Sequence, residues 1–147
     1  MNAKAEKLKV LFLCTGNSCR SQMAEGWTRI LKGDQIEAYS AGVDPHAVDP
    51  RAVQAMAEVG IDISGQASKD VDTLGDIEFE YVITLCDQAH QACPVFPAKT
   101  RVLHVGFEDP PRLAAGAATD KEAMVHYRRV RDEIKAFVEK LPEILGE

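Results

Sequence analysis

The 147-residue sequence has no apolar run long enough to span a membrane, no internal repeat and no low-complexity tract. Met1 to Lys9 is polar and lysine-rich with no apolar centre, so it does not read as a secretory signal, and a cytoplasmic location is the expectation. Basic charge is short as well. Seventeen Lys and Arg against 23 Asp and Glu leave a net charge of −6, and the pI is near 5.2. A nucleic-acid surface needs a concentrated basic patch, so that class is excluded and any anion site must be local. Cysteines number four, at 14, 19, 86 and 93. Without a signal segment they read as chemistry rather than as a disulfide framework. A composition 46% hydrophobic and 27% charged suits one domain over 1–147 with a single core.

What is present centres on Val10-Leu11-Phe12-Leu13-Cys14-Thr15-Gly16-Asn17-Ser18-Cys19-Arg20-Ser21. The short β-rich apolar run predicts a buried strand, and Met23, Trp27, Ile30 and Leu31 at helical spacing predict a helix beyond the loop. A tight turn from Cys14 to Arg20 would point its backbone N–H groups at one spot above the cysteine sulfur. Such a nest, backed by a helix N-terminus, binds oxyanions through residues 15–20, that is Thr15, Gly16, Asn17, Ser18, Cys19 and Arg20. The same positive field would depress the Cys14 pKa, and Ser21 would donate a hydrogen bond to its sulfur. Arg20 supplies a planar fork for two oxygens of a tetrahedral anion. The alternative is a structural cysteine before an ordinary strand-to-helix turn.

Along the chain, a helix is expected from Arg20 to Lys32, stopping near Gly33, with Glu25 as a solvated residue, and then a strand from Ile36 to Ala41. Asp49-Pro50 reads as a capped helix start with Val53, Met56 and Ala57 inward and Gly60 just past its end. Ser64 to Gly75 is weakly patterned, with room for a short helix. Tyr81 to Leu85 is a third buried strand delivering Cys86 at its carboxyl end, where Cys14 also sits and where open parallel sheets place their ligands. Thr100 to Val105 gives a fourth apolar strand that runs into a loop with Asp109-Pro110-Pro111. Thr119 to Glu122 is a capping box opening a helix striped with Ala123, Tyr127, Val130, Ile134, Phe137 and Leu141. Arg128 to Arg131 reads as a solvated face of that helix. Strands alternating with helices indicate an α/β fold with a parallel sheet.

The turn from Cys14 to Ser21, the pair Cys86 and Cys93, and Asp109-Pro110 together resemble the thioredoxin-coupled arsenate reductases. Their fold is that of the low-molecular-weight tyrosine phosphatases, and the resemblance covers nearly the whole chain. It implies a single-domain four-stranded parallel sheet flanked by helices, acting as a monomer with no bound cofactor or metal and with thioredoxin as external reductant. It also implies roles. Cys14 attacks arsenate held by Arg20 and the loop, and Asp109 protonates the leaving oxygen. Cys86 then attacks Cys14 as arsenite departs, and Cys93 attacks Cys86 to leave a disulfide for thioredoxin. Cys19 is expected only to pack. If residues 86 to 93 were helical, their Cα atoms would lie about 10.5 Å apart at ~1.5 Å rise per residue, against the roughly 4.4–6.8 Å a disulfide needs. That segment is therefore expected to unwind on oxidation.

Three alternatives stand beside this. A phosphatase would use the same loop but leaves Cys86 and Cys93 unexplained, and aromatics at 6% offer no evident platform for a tyrosine ring. A non-enzymatic redox sensor would need an output surface that is not evident. Zinc on Cys86, His90 and Cys93 lacks a fourth ligand with paired spacing. In some members of the resembled family a potassium ion beside the loop is held by residues matching Asn17, Glu25 and Ser40, with an acid where this chain has Lys69. Lys69 is expected to replace the ion by pairing with Glu25 and supporting Asn17.

Overall fold

The computed structural model describes residues 7–147, so Met1 to Glu6 of the lysine-rich N-terminal stretch lie outside the described residues. The first strand, β1 (Leu8–Cys14), is buried on both faces. Val10 and Phe12 enter one apolar cluster, while Leu11, Leu13 and Cys14 enter the other. Continuous burial of that kind marks the centre of a parallel sheet. It lies between β2 (Ile36–Gly42) and β3 (Tyr81–Thr84), with β4 (Arg101–His104) outermost, in the order β2-β1-β3-β4 and parallel throughout. The order reverses between β1 and β3, and there the carboxyl ends open a crevice. β4 is an edge strand and largely exposed, although the sequence reads as apolar there.

One face of the sheet is covered by α1 (Arg20–Lys32), α2 (Pro50–Ala57) and α5 (Asp120–Val138), whose Met23, Trp27, Met56, Tyr127 and Ile134 share a core with Val10, Phe12 and Ile83. On the other face lie a 3-10 turn at Val71–Leu74 and the short helix α3 (Asp87–Gln91), burying Val71, Phe79 and Ala89. Among the described residues no helix is long and apolar enough to cross a membrane.

The predicted caps are present. Asp49 accepts from the Arg51 N–H, Thr119 accepts from the Glu122 N–H, and Gly60 has φ +81° just beyond α2. Several side chains point elsewhere than their spacing suggests. Ile30 and Leu31 are exposed, and Ala57 faces solvent beside a half-buried Val53. Arg131 is buried, contrary to the solvated face expected of Arg128 to Arg131. It donates to Ala55 O and Glu58 at 3.0 Å, tying α5 to α2. A helix the periodicity did not reveal, α4 (Pro110–Ala114), begins directly after Asp109. Asp-Pro-Pro is the sequence signal for it, the same one that marks α2.

Candidate active site

Cys14 ends β1 and Arg20 begins α1, so the intervening loop bridges a strand end to a helix N-terminus. Its carbonyls are tied outward: Thr15 O accepts from Asp44 N at 2.9 Å, and Gly16 O and Ser18 O accept from His46 N and Asp49 N at 2.8 Å. Among the described residues no N–H from Gly16 to Cys19 donates to another protein group. Carbonyls turned out and amides left open give the loop the shape of an anion-binding nest. Tight packing enforces its shape. A Cβ on Gly42 would lie 2.7 Å from Thr15 O, and one on Gly16 would lie 2.9 Å from the His46 ring.

Asn17 holds the turn from beneath. It adopts φ +48°, a left-handed conformation that asparagine tolerates. Fully buried, it donates to Ser21 Oγ at 2.8 Å and accepts from the Lys69 N–H at 3.0 Å. Ser21 is therefore engaged with Asn17 and makes no hydrogen bond to Cys14, correcting the expected Ser21–sulfur contact. The expected Lys69–Glu25 pair is also absent. The Lys69 ammonium donates to Ala67 O, whereas Glu25 accepts from Ser40 Oγ at 2.5 Å and lies 3.7 Å from Arg29. Lys69 supports Asn17 through its backbone, not through its charge. Half-buried Glu25 joins α1 to β2 where a solvated residue was expected.

Gln22 is a supporting residue that no sequence pattern revealed. Buried on α1, it donates to Asn17 O at 2.8 Å and to Ala67 O at 3.1 Å. Ser68 likewise donates to Gly16 O at 3.0 Å.

Above the loop opens a cavity of about 1180 Å³, with Cys14, Arg20, Cys86 and Asp109 on its wall. Arg20 donates to Phe107 O at 2.9 Å and lies 3.6 Å from Asp109, while its buried Nε has no partner. A buried unpaired donor at the mouth of a nest is where an oxyanion would fit. Cys19 faces the cavity from the N-terminus of α1 but is 3% exposed, and burial pushes its thiol up.

Cys86 Sγ lies 3.8 Å from Cys14 Sγ and 3.2 Å from Thr15 Oγ1, and accepts from the Ala89 N–H at 3.4 Å. Its pKa is pushed down to about 4, first by the hydrogen bond from Cys14 and then by Thr15, Ala89 and Arg20, against burial. Cys14 is pushed up, first by donating to Cys86 and then by burial, with Arg20 opposing. The two sulfurs are close enough to share a proton, so a thiolate charge belongs to the pair and not to Cys14 alone, where the sequence placed it. Cys93 lies just past α3, half-buried and unbonded, its thiol pushed up by burial. Among the described residues no three His, Cys, Asp or Glu side chains gather as a metal-ligand set.

Residues 9–147 match the family described as low molecular weight phosphotyrosine protein phosphatase. An arsenate reductase of Halalkalibacterium halodurans is 47% identical over 93% of this chain and 96% of its own length. Two solved arsenate reductase structures superpose on the chain. One, in the phosphate-binding state, has a TM-score of 0.71 and 36% identity over 91% of this chain and 95% of that one. The other, in the oxidised state, has a TM-score of 0.75 and 34% identity over 90% and 95%.

Proposed function

The chain belongs to the low molecular weight phosphotyrosine protein phosphatase family, and on that premise we propose that it reduces arsenate to arsenite through Cys14, Cys86 and Cys93, with thioredoxin as reductant. The observation that carries this reading is the 3.8 Å contact between the Cys14 and Cys86 sulfurs at the floor of an oxyanion nest. A hydrolase has no use for a second thiol poised on its nucleophile.

Arsenate sits on the open amides of the loop and on the unpaired Nε of Arg20. As it enters, the proton crosses the sulfur contact to Cys86, and Cys14 becomes the thiolate that attacks arsenic. One oxygen leaves as water, protonated by Asp109, while Arg20 and the amides hold the developing charge on the others. Cys86 gives its proton to an oxygen of the departing arsenic group and attacks Cys14 Sγ. The S–As electron pair stays on arsenic, which departs as arsenite, and a Cys14–Cys86 disulfide forms. Cys93 then attacks Cys86, and Cys14 leaves as a thiolate. Thioredoxin supplies two electrons to the Cys86–Cys93 disulfide. No bound cofactor or metal takes part, and the enzyme works as a monomer in the cytoplasm.

The test is arsenate-dependent NADPH oxidation with thioredoxin and thioredoxin reductase. Sustained turnover is expected of the unaltered protein, and none beyond the first cycle of Cys93→Ser. Continued turnover in Cys93→Ser removes Cys93 from the path, and inactivity of both refutes arsenate reduction by this route.

A further inference from the structure

Behind Cys86 lies a polar cluster that the reaction above does not use. Thr84, fully buried at the end of β3, places its hydroxyl 3.1 Å from His90 Nδ1 on α3 and 2.9 Å from His104 Nδ1 at the end of β4. The two imidazoles stack with centroids 4.7 Å apart, and His104 Nε2 lies 3.0 Å from Asp87 Oδ1, at the start of α3. A short helix is thus held at both ends by the carboxyl edge of the sheet.

We propose that Thr84, His90 and His104 are positioning residues that latch α3 in the reduced enzyme, and that releasing His90 from Thr84 is the conformational step that lets Cys93 reach Cys86. This rests on the cysteine relay proposed above. Cys93 attacks Cys86 Sγ, the Cys86–Cys93 bond forms as the Cys14–Cys86 bond breaks, and no net oxidation occurs. A helix continued from Cys86 to Cys93 would hold their α-carbons about 10.5 Å apart, whereas a disulfide tolerates roughly 4.4–6.8 Å. Residues 87–92 must therefore buckle, and His90 lies in the middle of them. While the latch holds, α3 also keeps its Ala89 N–H on Cys86 Sγ, with that sulfur against Cys14.

Hydrogen-bond chemistry singles out His90 as the release point. A hydroxyl has one proton to give. Thr84 Oγ1 also donates toward Leu103 O at 3.2 Å. With His104 giving its Nε2–H to Asp87, the one Thr84 proton goes to an acceptor on β4, Leu103 O or His104 Nδ1, and His90 donates its own Nδ1–H to Thr84. Asp87 is largely exposed, so its own bond to His104 adds little. Replacing His90 by Phe keeps the stacking surface but removes the donor, whereas Asn restores a donor near the Nδ1 position.

Cys14→Ser protein isolates the Cys86–Cys93 couple. The experiment equilibrates it without oxygen in oxidised and reduced dithiothreitol mixtures, blocks free thiols with a maleimide, and counts them by mass spectrometry. In this background His90→Phe is expected to raise the disulfide-to-dithiol ratio about 3- to 10-fold at a fixed mixture, the scale of one lost hydrogen bond, and His90→Asn to return it to within about 2-fold. Thermal unfolding should be lowered only in the reduced form of His90→Phe. An unchanged ratio, or equal thermal loss in both forms, overturns the latch. If the parent Cys14→Ser protein forms no Cys86–Cys93 disulfide in any mixture, the relay itself fails, an outcome distinct from a relay without a latch.

Discussion

Arg20 Nη2 stands 3.6 Å from Asp109 Oδ1, so the cation proposed to hold the oxyanion and the acid proposed to protonate its leaving oxygen are already joined before any substrate arrives. The same guanidinium donates to Phe107 O, two residues before Asp109, and so fixes the loop leading to α4. An entering anion competes with Asp109 for Arg20. That competition opposes binding but leaves the carboxyl beside the oxygen that must depart.

Asp109→Asn keeps the shape and removes the acid. Arsenite release in a single turnover at saturating arsenate is expected to slow about 100- to 10,000-fold, the range for loss of a positioned acid. Phosphate binding, measured calorimetrically, should hold or tighten because a negative neighbour of Arg20 is gone. An unchanged single-turnover rate would remove Asp109 from the chemistry.

The Cys14–Cys86 pair predicts a titration. In the reduced protein the thiolate ultraviolet absorbance of Cys86 should persist until the pH approaches about 4. In Cys14→Ala, where the hydrogen bond that lowers it most is lost, the midpoint should move up. Stability follows with a definite sign. Cys86 is lowered from 9.0, so between about 4 and 9 the unfolded chain binds the extra proton and the pair's contribution grows with rising pH. Above that range the unfolded chain loses both protons while the raised Cys14 keeps its own, and the contribution declines. Urea unfolding of reduced protein against Cys86→Ser across this range checks both limbs.

Strand, loop and helix around Cys14 were legible because a short continuous apolar run, a loop of small polar residues and helical spacing each leave a local mark. Cap residues at Asp49 and Thr119 were legible for the same reason. The sharing of a proton between Cys14 and Cys86 was not, since it depends on two strand ends 72 residues apart meeting at 3.8 Å. Ser21 and the Lys69 ammonium were misassigned because a side chain's partner is fixed by the direction in which the turn folds: Asn17, with its left-handed backbone, took the Ser21 hydroxyl, and the Lys69 ammonium turned to Ala67 O. The burial of Arg131 escaped notice because charge in a helix reads as surface until α2 is packed against it.

Asn17 supplies a test of loop preorganisation. Replacement by Ala leaves a Cβ in the left-handed conformation without the polar side chain that lets asparagine tolerate it, a conformation that costs about 1–2 kcal/mol for an ordinary residue, and strands Ser21 and the Lys69 N–H. The expected total is about 2–4 kcal/mol in denaturant unfolding, given about 1–3 kcal/mol for an unsatisfied buried group. Asn17→Gly should recover only the backbone part. Weakened phosphate binding in both variants would show that the nest depends on the side-chain contacts. Binding retained by Asn17→Gly would instead put the whole effect in the backbone.

Arg131 separates fold from chemistry. Its buried guanidinium holds Ala55 O and Glu58 on α2 and also reaches Asp132, while its carbonyl accepts from Trp27 Nε1 at 3.1 Å on α1. Arg131→Met keeps most of the apolar stem and the backbone contact but abandons the acceptors on α2. Loss of these bonds is expected to cost about 1–3 kcal/mol in urea unfolding. The arsenate single-turnover rate should stay unchanged at temperatures where the variant is folded, because none of the groups that Arg131 bonds belongs to the Cys14–Arg20 loop. A fall in that rate without a fall in stability would mean that α5 communicates with the nest, and would reassign Arg131 from a tie between helices to a support of the active site.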